Sequence, residues 1–209
     1  MRIAILIACA YLLGSLPFGL MVGRWVRGVD IRKFGSGNIG FSNVLRVLGP
    51  GPASLVLVGD TLKGVIPVVV GRRLLVSWGV SPADLWVLAV ALAAILGHSF
   101  SVFCGFRGGR AVATALGTLL GLCWPSALIA LSIWLALVAA TRYISLGSMV
   151  AALSVPTYIA LAHRPPSWIA FWSAIALLIV VRHLPNIKRL LSGTETKIGQ
   201  RVNVEHGPG

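Results

Sequence analysis

The sequence predicts an all-α polytopic integral membrane protein of about seven transmembrane helices, and three observations predict it. Hydrophobic residues make up 57% of the 209-residue chain and charged residues only 11%, with a mean hydropathy of +0.90. A soluble domain of this length could not bury so much apolar surface. The apolar residues run in blocks of about 20, the length that crosses a bilayer. Finally, the cations are shared unequally between the loops that join those blocks.

The first block, residues 3–23, is too long for a signal peptide and lacks a convincing cleavage site, so it reads as a first span. Residues 51–71 and 83–103 are the next two. The stretch 111–140 is too long for one span and is interrupted at Trp124–Pro125; 149–181 breaks at His163–Arg164–Pro165–Pro166. Splitting both gives seven spans, several of them short, and five full spans is the alternative.

With the N-terminus outside, thirteen of the eighteen Lys and Arg residues fall inside: Arg24, Arg27, Arg32, Lys33, Arg46, Arg107, Arg110, Arg142, Arg182, Lys188, Arg189, Lys197 and Arg201. Arg2, Arg72, Arg73 and Arg164 lie outside, and Lys63 lies within a span. The positive-inside rule then places the C-terminus and the polar, Gly-rich loops in the cytoplasm. Residues 1–191 are expected to form one membrane domain and 192–209 a flexible cytoplasmic tail. The net charge of +13 points to phosphate or lipid head groups as partners, not nucleic acid. Cys9, Cys104 and Cys123 form no CxxC pair and sit in apolar sequence, which indicates neither a disulfide nor a metal site.

Chemistry concentrates in the loops. Gly35-Ser36-Gly37-Asn38-Ile39-Gly40 lets backbone N–H groups approach an anion, and Ser42, Asn43 and Arg46 add donors and a fixed charge. The formal GxGxxG match is rejected, because no buried strand precedes it and no βαβ unit surrounds it. A second cluster runs from Gly97 and His98 to Arg107-Gly108-Gly109-Arg110, just ahead of an apolar helix. Two cations beside a helix N-terminus suit phosphate. A third, Arg142–Ser148, contains Ser145; a fourth, Arg182–Arg189, contains His183 and Asn186. Asp60 and Lys63 share one helix face within a span, where ionisable groups should face the protein interior and pair.

These four segments, in this order, resemble the PlsY family, the acyl-phosphate-dependent glycerol-3-phosphate acyltransferases of bacteria. Gly35–Gly49 is similar to a motif of roughly GSGNxGATNVLRxLG, and Gly97–Thr114 to GHxFPVFxxFKGGKGVAT. Arg142–Ser148 resembles RYxSLxS, and Arg182–Ile187 resembles RHxxNI. Departures from the pattern are Ile39 for Pro, Phe41-Ser42 for Ala-Thr, Ser101 for Pro, Arg107 and Arg110 for Lys, Ala111 for Gly, and Pro185 for Glu.

The resemblance implies a seven-helix, monomeric enzyme of the bacterial inner membrane that transfers a fatty acyl group from acyl phosphate to the 1-hydroxyl of glycerol 3-phosphate. It implies no cofactor and no metal. By position it assigns catalytic roles to Ser36, Arg46, His183 and Asn186. Substrate binding is expected of Gly35, Gly37, Asn38, Gly40, Ser42, Asn43, His98, Arg107, Gly108, Gly109, Arg110 and Ser145. Lys63, read from its place within a span, either orients substrate or forms a purely structural ion pair with Asp60. On this reading the first loop holds the acyl phosphate and Arg107–Arg110 hold glycerol 3-phosphate. The proton goes to His183 or to a substrate phosphate oxygen. No HxxxxD pair follows any histidine, which leaves an acyl-CoA type of acyltransferase without its base. The competing readings are a membrane transporter for an organic phosphate or other anion, and a degenerate, non-catalytic family member.

Overall fold

The structure, a computed structural model, describes residues 1–200. The regular elements are α1 (Arg2–Ser15), α2 (Phe18–Arg27), α3 (Phe41–Leu48), α4 (Pro50–Ser77), α5 (Ala83–Ser99), α6 (Val112–Thr141), α7 (Ile144–Leu161), α8 (Pro166–Arg182) and α9 (Leu184–Leu191). Single 3-10 turns at Ile31–Lys33 and Val102–Cys104 complete the set.

Five runs have the length and composition of a membrane span: Arg2–Arg27, Pro50–Ser77, Ala83–Cys104, Val112–Thr141 and Ile144–Leu161. The bent pair α8–α9, at 57°, makes a sixth. The stretch 149–181 divides at its His-Arg-Pro-Pro break, as the sequence suggests. The stretch 111–140 also divides close to Trp124–Pro125, with two helical limbs meeting at the non-helical Cys123 (φ −154°, ψ 78°).

The break at Cys123 reverses the chain. Val112 and Trp134 line the same cavity, whereas a straight helix would hold them about 33 Å apart. The chain therefore folds back at Cys123, just before Pro125, and both ends of α6 lie on one face of the molecule. Its first limb, Val112–Leu122, is only about 16 Å long, well short of the roughly 30 Å apolar layer.

Close helix crossings use small residues, since lipid offers helices no hydrophobic drive to associate. At the α4–α6 crossing, a Cβ on Gly64 would collide with the Thr114 carbonyl, and one on Gly117 with the Thr61 carbonyl. The α1–α5 crossing repeats the device with Gly14 against Ala94 and Gly97 against Tyr11. Breaks in the helices are satisfied internally. Pro17 separates α1 from α2, and the Leu16 carbonyl at that break accepts a hydrogen bond from Lys63 Nζ at 2.8 Å. At membrane depth such a carbonyl has no water to turn to.

The tail expected over 192–209 is described only to Gln200, and residues 201–209 lie outside the described residues. Its first part departs from the expectation by packing back onto the domain: Glu195 is buried, and the Ile198 carbonyl accepts from Arg142 Nη2 at 2.6 Å.

Gly64→Val and Gly117→Val should each force the α4–α6 crossing apart. We expect a loss of about 2 kcal/mol or more and a Tm lower by roughly 4–8 °C, read by thermal unfolding in detergent. Gly51→Ala, where an added Cβ meets open space, should leave Tm unchanged.

Candidate active site

Gly35 (φ 58°) and Gly37 (φ 68°) turn the first loop through left-handed backbone that only glycine adopts cheaply. The buried Asn43, in the first turn of α3, fastens that loop. Its Oδ1 accepts from the Ser36 N–H at 2.8 Å, and its Nδ2 donates to the carbonyls of Ile31 and Phe34, both at 3.1 Å. Asn43 therefore shapes the loop, with its amide committed to backbone. Asn38 Oδ1 accepts the Gly40 N–H at 2.8 Å, and Asn38, Gly40, Phe41 and Ser42 line a cavity of about 250 Å³. The Ser36 hydroxyl oxygen is buried without a hydrogen-bond partner.

The second loop is held from two sides. The Gly108 N–H donates to the Ser99 carbonyl at 3.1 Å and the Gly109 N–H to the His98 carbonyl at 2.9 Å. Arg182 grips the opposite polarity: Nη2 donates to the carbonyls of Ser99 (3.1 Å), Gly108 (2.8 Å) and Gly109 (2.9 Å), and Nε to Gly109 (3.1 Å). Both positions require glycine, because a Cβ at 108 would meet the His98 carbonyl and one at 109 the His98 ring. The two amides are thus consumed inside the protein. The donors that remain for an anion belong to the first turn of α6, whose N–H groups have no helical partner, and to Arg110. Val112, Ala113 and Arg110 line the cavity. Arg107 is exposed on the surface and does not line it. Burial, and then the neighbouring Arg189, pull the Arg110 guanidinium down to about 10, which still leaves it charged at neutral pH.

Asp60 and His98 complete the polar wall. Asp60 Oδ1 lies 2.8 Å from Lys63 Nζ and 3.6 Å from His98 Nδ1. Lys63 itself turns away, toward the Leu16 carbonyl and the ring of Phe18. Apart from the hydroxyls of Thr61 and Ser148, the rest of the cavity is apolar, with Leu57, Leu116, Leu131 and Trp134. A narrower hollow of about 60 Å³ shares Val112, Leu116, Leu131 and Trp134 with it and continues between α6, α7 and α8 to Trp172 and Ile179. One end of the space is polar and cationic; the other is dry.

Beside it lies a network that the sequence reading missed. Glu195 Oε1 accepts from Ser145 Oγ at 2.7 Å and from Asn186 Nδ2 at 2.7 Å, while Oε2 accepts from Arg189 Nε at 2.7 Å. Arg46 Nη2 lies 3.8 Å from Oε1 and donates to the Thr196 carbonyl at 3.2 Å. Ser145, Asn186 and Arg46 therefore meet through Glu195. Burial opposes the charge on Glu195, but the donors from Asn186, Ser145 and Arg189 hold its carboxyl below the ordinary range. The one available signal was scarcity, since the chain has only five acids against eighteen cations. His183 Nδ1 lies 2.8 Å from the Ile179 carbonyl. A carbonyl only accepts, so Nδ1 carries the proton and Nε2 is left as the basic nitrogen of the neutral ring.

A family model for glycerol-3-phosphate acyltransferase matches residues 4–193. A glycerol-3-phosphate acyltransferase of Geobacter sulfurreducens is 49% identical over 92% of this chain and 96% of its own length. One from Gloeobacter violaceus is 47% identical over 92% and 93%. Crystal structures of PlsY, an integral membrane glycerol 3-phosphate acyltransferase, superpose with a TM-score of 0.87 for the glycerol 3-phosphate form and 0.85 for the lysophosphatidic acid form. Both are 38% identical; the first covers 95% of this chain and 96% of that one.

Replacing Glu195 by Gln removes the charge that Arg46 and Arg189 share. A destabilisation of about 2–3 kcal/mol is expected, the range for hydrogen bonds to a buried charged group. The ionised carboxylate stabilises the fold fully above its ordinary value of 4.5, and this contribution is lost as pH falls through the lower folded-state value. The Tm of the wild type should therefore drop more steeply below pH 4.5 than that of Glu195→Gln; parallel profiles would contradict the assignment.

Proposed function

This chain belongs to the glycerol-3-phosphate acyltransferase family, and from that premise we propose that it transfers a fatty acyl group from acyl phosphate to the 1-hydroxyl of sn-glycerol 3-phosphate. The products are lysophosphatidic acid and inorganic phosphate. The chain is a multi-pass integral membrane acyltransferase. Its polar face is assigned to the cytoplasmic side of the bacterial inner membrane on the thirteen-to-four division of cations, with seven membrane segments once the α6 hairpin is counted as two.

The observation that carries the reading is the two-ended cavity. Arg110 and the first turn of α6 offer charge and N–H donors to a phosphate. The apolar continuation toward Trp172 accepts a hydrocarbon chain. An acyl phosphate has the same division of character, as does lysophosphatidic acid.

Acyl phosphate is a mixed anhydride whose phosphate leaves readily, so alignment and charge stabilisation are the main demands on the protein. The acceptor oxygen attacks the acyl carbonyl carbon, the ester C–O bond forms, and the bond from acyl carbon to phosphate oxygen breaks. Arg110 and the α6 amides bind the glycerol 3-phosphate phosphate. The rim Asn38–Ser42, backed by Arg46, faces the leaving phosphate. The hydroxyl proton goes to Nε2 of His183 or to a phosphate oxygen of the donor.

Arg110→Ala should raise the KM for glycerol 3-phosphate at least tenfold, as expected for loss of a charged hydrogen bond of about 1.5–3 kcal/mol. Arg107→Ala should change it less than twofold. The assay is acceptor-dependent phosphate release from palmitoyl phosphate; palmitoyl-CoA should not serve as donor. An unchanged KM in Arg110→Ala would remove that residue from the acceptor site. His183→Gln separates the proton routes: a kcat lowered a hundredfold or more assigns the imidazole, and a near-normal kcat assigns the phosphate.

A further inference from the structure

The face opposite the active site carries an open groove of about 770 Å³ where the end of α4, the α6 fold-back and the α7–α8 turn meet. Nothing in the acyl-transfer reaction uses it. Its rim holds Arg72 and Arg164, and its walls include Trp124, Tyr158 and Leu161. We propose that this groove binds an anionic phospholipid of the surrounding bilayer, with the phosphate between the two guanidinium groups and an acyl chain along the apolar wall.

Three observations converge. Neither Arg72 nor Arg164 has an acidic partner among the described residues, and Asp84, the acid at the same end of the molecule, pairs with neither. Two uncompensated cations at one groove repel each other and attract a phosphodiester. Trp124 is 63% exposed, and exposed Trp beside a Tyr is the pattern of a membrane–water interface, where head groups lie. Arg164 is preorganised: its guanidinium stacks 5.0 Å from the Trp168 ring, and its N–H closes the end of α7 on the Ile159 carbonyl at 3.2 Å. Free phosphate would use the cations and leave Leu122, Ile129 and Leu161 bare. A zwitterionic lipid would bring its own ammonium against them.

The test uses the full-length protein, delipidated in non-ionic detergent and offered equal phosphatidylglycerol and phosphatidylcholine of the same chain length, with bound lipid read by native mass spectrometry. Phosphatidylglycerol should be retained preferentially. Arg72→Gln and Arg164→Gln should each weaken that preference about fivefold, the effect of one cation near an anionic head group. Arg73→Gln, exposed on α4 and outside the groove, should not. Arg164→Lys should restore the preference, which separates lost charge from lost stacking, and acyl transfer by every variant checks that each is folded. Equal retention of the two lipids, or a preference that survives both Gln substitutions, overturns the proposal. So does thermal stabilisation by inorganic phosphate alone that depends on Arg72 and Arg164, which would reassign the groove to a soluble anion.

Discussion

A single carboxylate, Glu195, joins parts of the chain that are far apart in sequence: α3 through Arg46, the start of α7 through Ser145, and α9 through Asn186 and Arg189. Its side chain is 1% exposed, so its charge has no solvent to fall back on and must be met by these donors. One negative charge among Arg46, Arg110 and Arg189 leaves the neighbourhood net positive. That imbalance is costly in an empty protein and useful in one that, in the proposed reaction, brings two phosphate-bearing molecules together. Glu195 offsets enough repulsion for the cations to be built close to one another, without cancelling the field that attracts the substrates.

The bilayer imposes the same discipline on the backbone. Where the chain must leave helical geometry at the active-site face, a long cation takes up the carbonyls that come free. Lys63 does so at the α1–α2 break, while its pairing with Asp60 keeps a carboxylate in the cavity wall. Arg182 does so for Ser99, Gly108 and Gly109. Residues that read as substrate contacts by charge are in part the scaffold that holds an irregular loop in shape, so that Arg110 and the start of α6 face the cavity.

Hydropathy and turn residues made the helical architecture legible, because both depend on local composition. The polar loops were legible as a set for the same reason. What each residue does within them was not. Spacing cannot reveal that the Gly108 and Gly109 amides are already bonded to the backbone, that Asn43 spends its amide on Ile31 and Phe34, or that Arg107 faces outward. Those outcomes depend on which helices meet there. Glu195 was illegible because the residues around it come from segments as distant in sequence as Arg46. The α6 fold-back, by contrast, was legible: Trp124–Pro125 signals a break, a split there returns residues 104–110 and 141–148 to one face, and Val112 and Trp134 line one cavity accordingly.

The departures from the family pattern fall where the backbone tolerates them. Pro185 occupies the first turn of α9, where its missing N–H would have had no helical partner. Ala111 takes a left-handed conformation (φ 67°), which explains why the related motif has glycine there. Left-handed backbone costs alanine about 1–2 kcal/mol. The Ala111 methyl is fully buried, and a buried methyl-sized group contributes about 0.8 kcal/mol. Gain and strain nearly cancel, so the chain can present the first turn of α6 to the cavity without the glycine. Phe41, Ser42 and Arg110 are the departures that touch the reaction space, since all three line the cavity. The Phe41 ring narrows the cavity rim beside Asn38 and Gly40. Any difference in substrate preference between this chain and its relatives is therefore to be sought at positions 41, 42 and 110, and not at 111 or 185.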